Sequence, residues 1–443
     1  MDDPNVLERM RADWNYRAGE DANYYVAFGR REQEDAEFFA TAAGVVNGLE
    51  MDLARFPGRD AALEIGCGPG RLMRPLSRHF KEIHGVDISD AMIALARERL
   101  RHTPNAFPHH SSGSDLKLFP DEKFDYVYSY AVFQHIPSAE VVFQYLREAR
   151  RVLKTGGILR CQINGLPPAA KQYDTWSGVC IPPEDITQFA LDHDFQLLAL
   201  EMIHTQYMWL TCRKRPAGWV RSLAGRRPEP AASIRSLSNA LTGEGVAPAK
   251  GPMAALSLWI KGLPDEADIN HMAITVDGLL GRPEYIGVPA ADGVQQVNIR
   301  LPDGVRTGIV PVETAWLGQP ICAPAWVRII PPGLGVARLT TVTDGVNLLL
   351  DHRTASGSIK VTMVEVPRAE LFRATVDGMA VLETYSFCAD PMVRRYEFNF
   401  RLPEGVGPGA HLLRIGMGKR DFPPVTIEVA GGTLACRVET LDS

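Results

Sequence analysis

A carboxylate followed by three alternating glycines is the part of the sequence best suited to chemistry. In ALEIGCGPGRL, residues 62–72, Glu64 stands just before Gly66, Gly68 and Gly70. Glycine has no Cβ, so it lets a ligand approach the main chain and lets the chain take left-handed turns. A glycine-rich turn between the first strand and the first helix of a doubly wound sheet receives nucleotide-like ligands, so we expect a nucleoside site here.

Glu64 and Arg71 narrow the type of ligand. A dinucleotide turn has the pattern GxGxxG, and Arg71 occupies the position of its third glycine. The carboxylate of Glu64 would repel a pyrophosphate resting on the helix N-terminus, but it would attract an ammonium group. S-adenosylmethionine carries an ammonium, lacks phosphate and has a carboxylate that the free N–H groups of the next helix can bind. A nicotinamide-dependent oxidoreductase is therefore disfavoured.

With this turn, the sequence over roughly residues 14–213 resembles the class I, Rossmann-like, S-adenosylmethionine-dependent methyltransferases, whose first motif is E/DxGxGxG. The resemblance implies S-adenosyl-L-methionine as cofactor and implies that the glutamate and the glycines bind it. Asp87 ends EIHGVDI about 20 residues after Gly66, where a carboxylate accepts both ribose hydroxyls. A helix cap is the alternative role for Asp87, but Ser89 and Asp90 already supply a cap.

Five further residues are expected at the adenine and methyl positions of this family. In GSDL, residues 113–116, Asp115 is implied to accept the adenine amino group and the backbone of Leu116 to meet the ring. An ordinary Asx turn is the alternative for Asp115. Ile88 and Met92 are expected to sandwich the adenine, with general packing as the other reading. Tyr130 follows FDYVYS and falls on the loop beneath the transferable methyl group.

The N-terminal segment WNYRAGEDANYYVAFG, residues 14–29, resembles the lid helix of many members that act on small molecules. The aromatic faces of Trp14 and Tyr24 would stabilise a sulfonium cation by about 0.5 to 2 kcal/mol. Core packing is the alternative for both rings. Arg17 is expected to meet the methionine carboxylate.

His135 is the one histidine that the motifs place at the mouth of the site. An imidazole titrates near neutrality, so His135 is a candidate general base for a hydroxyl or amine acceptor. The alternative is that it orients the loop before Pro137, and the sequence leaves both open. Tyr173 and Trp176, in the segment 164–183, are either acceptor contacts or loop packing.

The acceptor is predicted to be a small molecule or an accessible side chain. Amino methyltransferases of DNA carry Asn or Asp and then Pro-Pro-aromatic at the end of this strand, whereas residues 129–132 read SYAV. The net charge of -6 gives no field that would gather nucleic acid. We therefore expect in-line methyl transfer to an O, N or S nucleophile. The alternative is a non-catalytic, cofactor-binding scaffold.

The elements that must position these residues alternate between strands and helices from residue 60 to residue 213, which predicts a parallel sheet covered on both faces. The predicted domain spans residues 1–215, with a lid at about 1–45 and an antiparallel hairpin that turns near residues 204 and 205. A linker is predicted at 216–230.

Beyond the linker the sequence consists of short β-branched runs that contain a repeat. TVDG occurs at 275–278 and again at 375–378, and IRLPDGV at 299–305 returns as FRLPEGV at 400–406. This predicts two all-β sandwiches of about 100 residues each, at 231–332 and 333–432, with a tail at 433–443. They resemble the immunoglobulin-like modules, also called TIG domains, of many bacterial proteins. The fold class is therefore multidomain: α/β doubly wound plus two immunoglobulin-like sandwiches.

The amino-acid composition limits the cellular compartment and the binding partners that we expect for the protein. The seven cysteines are scattered without a CxxC pair, which indicates neither a disulfide framework nor a metal site and favours a reducing cytoplasm. No signal peptide or membrane-spanning run is recognisable, so no membrane partner is expected. The β-modules are candidates for binding a protein partner or a second copy. We expect that removal of residues 229–443 leaves a folded cofactor-binding domain.

Overall fold

The computed structural model describes residues 5–27, 31–168, 173–227, 232–243, 245–332, 337–346, 352–366, 368–390, 394–418 and 420–430. The predicted tail at 433–443 lies outside these residues. The chain forms two compact units, the first made of Met1–Ala22 and Ala36–Gly333 and the second of Asn23–Asp35 and Leu334–Ser443. Each unit has its own hydrophobic core.

Helices form the N-terminal part of the chain. They are α1 (Val6–Ala27), α2 (Asp35–Ala40) and α3 (Ala43–Glu50), followed by a 3-10 turn at Met51–Arg55. At Asp21 the backbone of α1 leaves the helical region, with φ -166° and ψ 88°, so two helical pieces meet at a kink.

Seven strands build the sheet that carries the site. They are β1 (Ala61–Ile65), β2 (Glu82–Asp87), β3 (Ala106–His110), β4 (Phe124–Ser129), β5 (Leu153–Ile163), β6 (Phe195–Glu201) and β7 (Met208–Lys214). Their order is β3-β2-β1-β4-β5-β7-β6, with β1 to β5 parallel and β7 antiparallel to both neighbours. The predicted doubly wound sheet and its antiparallel hairpin are confirmed. Because the strand order reverses between β1 and β4, the carboxyl ends of these strands form the crevice in which such sheets bind ligands.

The crossover helices of this sheet are α4 (Met73–Leu76), α5 (Asp90–Arg99), α6 (Ala139–Val152) and α7 (Pro183–Asp192). Ser89 caps α5, because its hydroxyl accepts the N–H of Met92 at 3.1 Å, as the sequence predicts. Every residue of β1 and of β4 is buried, since helices cover both faces of a parallel sheet.

The segment predicted as a linker contains a short helix, α8 (Trp219–Leu223), whose Trp219 and Leu223 are buried. Nine strands follow. They are β8 (Ser233–Asn239), β9 (Val246–Pro248), β10 (Ala255–Lys261), β11 (Met272–Val276), β12 (Leu279–Ile286), β13 (Val294–Arg300), β14 (Gly308–Trp316), β15 (Gln319–Pro320) and β16 (Ala325–Ile330). One sheet has the order β8-β10-β13-β12 and the other β12-β11-β14-β16-β9, so β12 contributes to both.

These nine strands share a hydrophobic core with the sheet formed by β1 to β7. Tyr285 of β12 pairs with Ala199 of β6, and the Arg55 guanidinium donates to the carbonyl of Ile286 at 3.0 Å. Buried side chains on both sides belong to one continuous cluster. The strands therefore cover the outer edge of β6, and the boundary predicted near residue 230 stays a prediction.

The second unit is also built from two sheets. Its strands are β17 (Arg338–Asp344), β18 (Arg353–Thr354), β19 (Ser358–Val364), β20 (Phe372–Val376), β21 (Met379–Ala380), β22 (Tyr385–Asp390), β23 (Arg395–Arg401), β24 (Gly409–Met417), β25 (Arg420–Asp421) and β26 (Val425–Val429), with a 3-10 turn at Ala369–Leu371. The sheet orders are β17-β19-β23-β22 and β18-β26-β24-β20-β21, with β25 beside β24. Side chains such as Val361, Phe398 and Ile415 from both sheets share one core.

The repeated sequence landmarks occupy equivalent places in the two β-rich regions. TVDG forms the turn from β11 to β12 and again from β20 to β21, with positive φ at Asp277, Gly278, Asp377 and Gly378. Two consecutive positive φ values are typical of the tight hairpin turn that Asp-Gly favours. The two RLP segments connect β13 to β14 and β23 to β24.

Candidate active site

The glycine turn after β1 forms the floor of the candidate site. Gly66, Gly68 and Gly70 have φ values of 74°, 50° and 84°, a region that glycine enters without strain. A Cβ on Gly66 would lie 2.3 Å from a methyl carbon of Val132. The turn therefore needs glycine at position 66 for both its conformation and its packing.

Asp87, the last residue of β2, faces this turn. Its Oδ2 accepts the N–H of Gly68 at 2.9 Å and its Oδ1 accepts the N–H of Ser89 at 2.9 Å. An ionised carboxylate has about four acceptor positions, so two remain for the hydroxyls of a ribose. Burial raises the pKa of Asp87, and the two backbone donors oppose this effect. The structure thus brings Asp87 to the glycine turn, as the sequence predicts.

Glu64 lies beneath the same turn and is 3% exposed. The Tyr128 hydroxyl donates to Glu64 Oε2 at 3.0 Å, because β1 and β4 pair in the register that sets these two residues side by side. Burial raises the pKa of Glu64 to about 8, against the opposing effects of Tyr128 and of the charge on Arg71. Glu64 therefore holds its proton at neutral pH when no ligand cation is bound beside it.

The segment predicted to bind adenine forms a compact turn. Asp115 Oδ1 accepts the N–H of Lys117 at 3.2 Å, which is the Asx turn named as the alternative for Asp115. The N–H of Leu116 donates to Glu148 Oε2 at 2.9 Å. A Cβ on Gly113 would lie 2.2 Å from Cδ1 of Ile88, so Ile88 packs on this turn. The adenine contacts of these residues stay predictions.

Met92, the other residue expected at the adenine, is 1% exposed and belongs to the first turn of α5. The start of α5 is also held by Asn15 of α1. Asn15 Oδ1 accepts the Ser89 hydroxyl at 2.7 Å and the N–H of Ala91 at 3.2 Å. The sequence gives no signal for this contact, because a single asparagine in a helix has many possible partners.

Arg17 is engaged by the loop that follows β5. It donates to the carbonyl of Thr175 at 3.2 Å and to the Thr175 hydroxyl at 3.0 Å, and that hydroxyl donates to Asp13 at 2.5 Å. The guanidinium also lies 4.7 Å from the ring centre of Trp14 and 5.4 Å from that of Trp176. Arg17 therefore fastens α1 to this loop, and its predicted contact with the cofactor carboxylate has no separate support here.

His135 is 4% exposed and both of its ring nitrogens have neighbours. Nδ1 lies 3.0 Å from the carbonyl of Trp176 and Nε2 lies 3.3 Å from Nε2 of Gln134, while the Trp14 ring packs edge-on at 5.5 Å. Burial lowers the pKa of His135 to about 4. A neutral imidazole held on both sides favours the loop-orienting role, and the role of general base stays a prediction.

Tyr130 follows β4 directly and stacks on Trp209 with ring centres 5.9 Å apart. Ala131 has a φ of 57°, and its N–H donates to Gln162 Oε1 at 3.2 Å. This strained residue turns the chain sharply at the end of the strand, where the sequence predicts the loop beneath the methyl group. Trp209 and Gln162 contact this loop, and sequence reasoning did not identify either residue.

Tyr24 belongs to the second unit. Its ring packs edge-on against Tyr25 at 5.2 Å and lies 4.2 Å from the guanidinium carbon of Arg31. Its contact with the sulfonium stays a prediction.

Two properties of the described residues bear on other kinds of site. Within them, no group of three or more His, Cys, Asp or Glu side chains is arranged to hold a metal ion. No helix in the same part of the chain is long and apolar enough to span a membrane.

Known proteins with similar sequences share the site-bearing part of the chain. Residues 63–161 match the family model described as Methyltransferase domain. Phosphoethanolamine N-methyltransferase 2 of Caenorhabditis elegans is 38% identical over 103 residues, which are 23% of this chain and 23% of that protein. A ubiquinone biosynthesis O-methyltransferase of Cereibacter sphaeroides is 29% identical over 99 residues, which are 22% of this chain and 39% of that protein.

Among solved structures, phosphoethanolamine N-methyltransferase 1 of Haemonchus contortus covers 51% of each chain with 14% identity and a TM-score of 0.37. A DhpI complex matches 48% of this chain and 100% of its own with 18% identity and a TM-score of 0.37. The matched region spans only 23% and 39% of the length of the two curated relatives named above.

Residues 63–161 thus match a methyltransferase-domain model, and the strand order, the glycine turn and Asp87 in and around this region are those of a Rossmann-like, doubly wound sheet. S-adenosylmethionine is the cofactor of this domain. A large β-rich region follows it.

Proposed function

We propose that the protein transfers the methyl group of S-adenosylmethionine to an O, N or S nucleophile of a small molecule or an accessible side chain. The observation that carries the proposal is the placement of Glu64, the glycine turn and Asp87 at the adjoining carboxyl ends of β1 and β2. A buried carboxylate at one end and a ribose-type carboxylate at the other match the ammonium and the ribose of this cofactor.

The cofactor, when bound, supplies a methyl group on a sulfonium that is already an activated leaving group. The task of the chain is to hold the cofactor and the acceptor in line, which contributes about 7 to 11 kcal/mol to lowering the barrier. Asp87 accepts the ribose hydroxyls, and Glu64 accepts the ammonium. Ile88 and Met92 flank the adenine, with Asp115 at its amino group.

The acceptor side is formed by the loops that follow β4 and β5. Tyr130 and Trp209 offer stacked rings at the strand ends. The loop after β5 is held against the loop after β4, because the N–H of Gly178 donates to the carbonyl of Gln134 at 2.8 Å. A Cβ on Gly178 would lie 2.6 Å from that carbonyl oxygen, so only glycine permits this approach. We propose that His135 orients these two loops.

The relatives named above act, by their names, on phosphoethanolamine and in ubiquinone biosynthesis. We therefore propose an amine or a hydroxyl as the first acceptors to test. Nucleic acid is not proposed, because the strand-end motif of the nucleic-acid amino methyltransferases is missing from residues 129–132.

The β-rich regions are proposed to be immunoglobulin-like modules that bind a protein partner or a second copy. The support is their pair of facing sheets and the shared positions of the repeated turns. The region with β8 to β16 has the added role of covering the edge of β6.

The test is transfer of labelled methyl from S-adenosylmethionine to a panel that includes phosphoethanolamine, simple amines and catechols. The wild-type protein should label at least one acceptor, and Asp87→Ala should lose cofactor affinity. Each lost hydrogen bond from a ribose hydroxyl to this charged acceptor should weaken binding by about 1.5 to 3 kcal/mol.

Asp90→Ala is the matched control, because Asp90 lies three residues along the chain with a side chain that is 63% exposed. It should bind the cofactor as the wild type does. If Asp87→Ala bound S-adenosylmethionine as tightly as Asp90→Ala, the ribose assignment would be wrong.

A further inference from the structure

Arg71, the residue directly after the glycine turn, is a buried cation whose hydrogen bonds are incomplete. It is 5% exposed, and Nη1 donates to the Thr41 hydroxyl at 3.1 Å. Its Nε is buried and has no hydrogen-bond partner. Among the described residues, no carboxylate forms an ion pair with it within 4.0 Å.

The surroundings of Arg71 do not explain this burial. The rings of Phe38 and Tyr130 lie 6.0 and 5.8 Å from its guanidinium carbon. A guanidinium keeps its charge at any physiological pH, and a buried charge is normally paired. The carboxyl group of Glu64 is near enough to affect Arg71 electrostatically, yet it bonds to Tyr128 instead. The buried guanidinium of Arg71 and the buried carboxyl group of Glu64 thus lie near each other without forming an ion pair.

The amino-acid end of S-adenosylmethionine carries the matching pair, an ammonium and a carboxylate. Helix α4 is too short to hold that carboxylate by its dipole, since it spans only Met73–Leu76. A fixed cation beside the turn would bind that carboxylate more strongly than the dipole of this single turn. Arg17, the residue first expected there, already bonds to Thr175.

We propose that Arg71 binds the methionine carboxylate of the cofactor, while Glu64 binds its ammonium. The unpartnered Nε and the guanidinium fork supply the two parallel donors that a carboxylate accepts. Arg17 then serves to fasten the lid helix to the loop after β5. This assignment rests on the proposed cofactor and adds the residue that reads its carboxylate.

The test compares three ligands by calorimetric titration into the full chain: S-adenosylhomocysteine, its decarboxylated analogue S-adenosylthiopropylamine, and methylthioadenosine. Arg71→Met should bind S-adenosylhomocysteine about 10- to 100-fold more weakly than the wild type, as expected for a lost charged hydrogen-bond pair. Its affinity for the decarboxylated analogue should be unchanged. Binding of methylthioadenosine, which lacks the amino-acid end, reports that the adenosine site is folded.

Arg71→Lys keeps the charge but not the fork, so it should show a smaller loss, again confined to S-adenosylhomocysteine. This variant keeps the proposal testable if Arg71→Met fails to fold. Arg74→Met is the matched control, because Arg74 lies three residues further along the chain, in α4, with an exposed side chain. It should bind all three ligands as the wild type does.

The outcomes separate the two proposals. Equal losses for S-adenosylhomocysteine and for its decarboxylated analogue, or no loss for either, would overturn the role of Arg71 and leave the cofactor assignment in place. A wild-type protein that bound none of the three ligands would overturn both.

Discussion

At the scale of single residues, the site depends on carboxylates whose surroundings differ. Asp87 accepts hydrogen bonds from two backbone N–H groups, whereas the buried Glu64 of β1 accepts, among the described residues, a hydrogen bond only from Tyr128 of β4. This difference suits a cofactor whose ribose is neutral and whose amino group is cationic, because only the cation compensates a buried negative charge.

Glu64 should make the stability of the protein depend on pH. Its pKa is raised from 4.5 to about 8 in the folded state, so the folded protein holds a proton that the unfolded chain has released. The stabilising effect of this proton is complete below pH 4.5 and is lost as the pH rises to about 8. The slope reaches about 1.4 kcal/mol per pH unit.

Urea unfolding at pH 5 and at pH 8 measures this effect. Glu64→Gln should reduce the loss of stability between the two pH values, since glutamine does not titrate. Glu140→Gln, on the exposed side of α6, is the control and should follow the wild type. The same loss in wild type and Glu64→Gln would show that Glu64 is charged in the folded protein.

Cofactor binding should release a proton near neutral pH for the same reason, because the ammonium stabilises the ionised form of Glu64. Calorimetry in two buffers with different ionisation heats counts the released protons. The wild type should release a proton at pH 7, and Glu64→Gln should release fewer. Equal heats in the two buffers would contradict a role for Glu64 at the ammonium.

At the scale of elements, the turn after β1 should tolerate no side chain at position 66. Gly66→Ala would place its Cβ 2.3 Å from Val132 and would hold alanine at a φ of 74°. We expect at least a tenfold loss of cofactor affinity, which corresponds to about 1.4 kcal/mol.

Gly44→Ala is the matched control, since Gly44 lies in α3 and nothing approaches its Cβ position within 4 Å. In a helix this exchange should stabilise the protein by up to about 1 kcal/mol without changing cofactor binding. Thermal unfolding and calorimetry on both variants provide the comparison. Unchanged cofactor affinity in Gly66→Ala would contradict the placement of the cofactor on this turn.

The sheet was predictable from sequence because its signals are local. Alternating strands and helices, glycines at fixed spacing and an aspartate about 20 residues later all lie within one run of chain. The partners of the lid were not predictable, because Asn15 and Arg17 meet residues such as Ser89 and Thr175 that lie far along the chain. The sequence marks Arg71 only as a departure from the dinucleotide pattern, since burial of its Nε depends on the tertiary fold.

At the scale of the whole molecule, the first β-rich region and the α/β sheet belong to one compact unit. Near residue 230 the sequence changes from alternating strand and helix patterns to short β-branched runs, which predicts an independent domain. This change of pattern does not reveal that the two regions share a core. Backbone pairing of Tyr285 with Ala199 and the buried cluster common to both sides show that core. Only the structure could reveal that the edge of β6 is covered.

Truncation tests this sharing. A chain that ends at residue 227 should aggregate or bind a hydrophobic dye, because it exposes the edge of β6 and the apolar residues that the first β-rich region covers. A chain that ends at residue 332 retains that region and should stay soluble and bind the cofactor. Size-exclusion chromatography with dye binding distinguishes the two. A monodisperse 1–227 fragment that binds the cofactor would contradict this expectation and would support the independent domain that the sequence predicts.

We propose that this chain binds S-adenosylmethionine at the carboxyl ends of β1 and β2. Calorimetric titration of the full chain with S-adenosylmethionine, S-adenosylhomocysteine and, as a control, NADH tests this binding. We predict micromolar binding of the first two ligands and none of NADH. Binding of NADH, or of none of the three ligands, would contradict this proposal and would leave the β-rich regions as the part of the chain in which to seek a function.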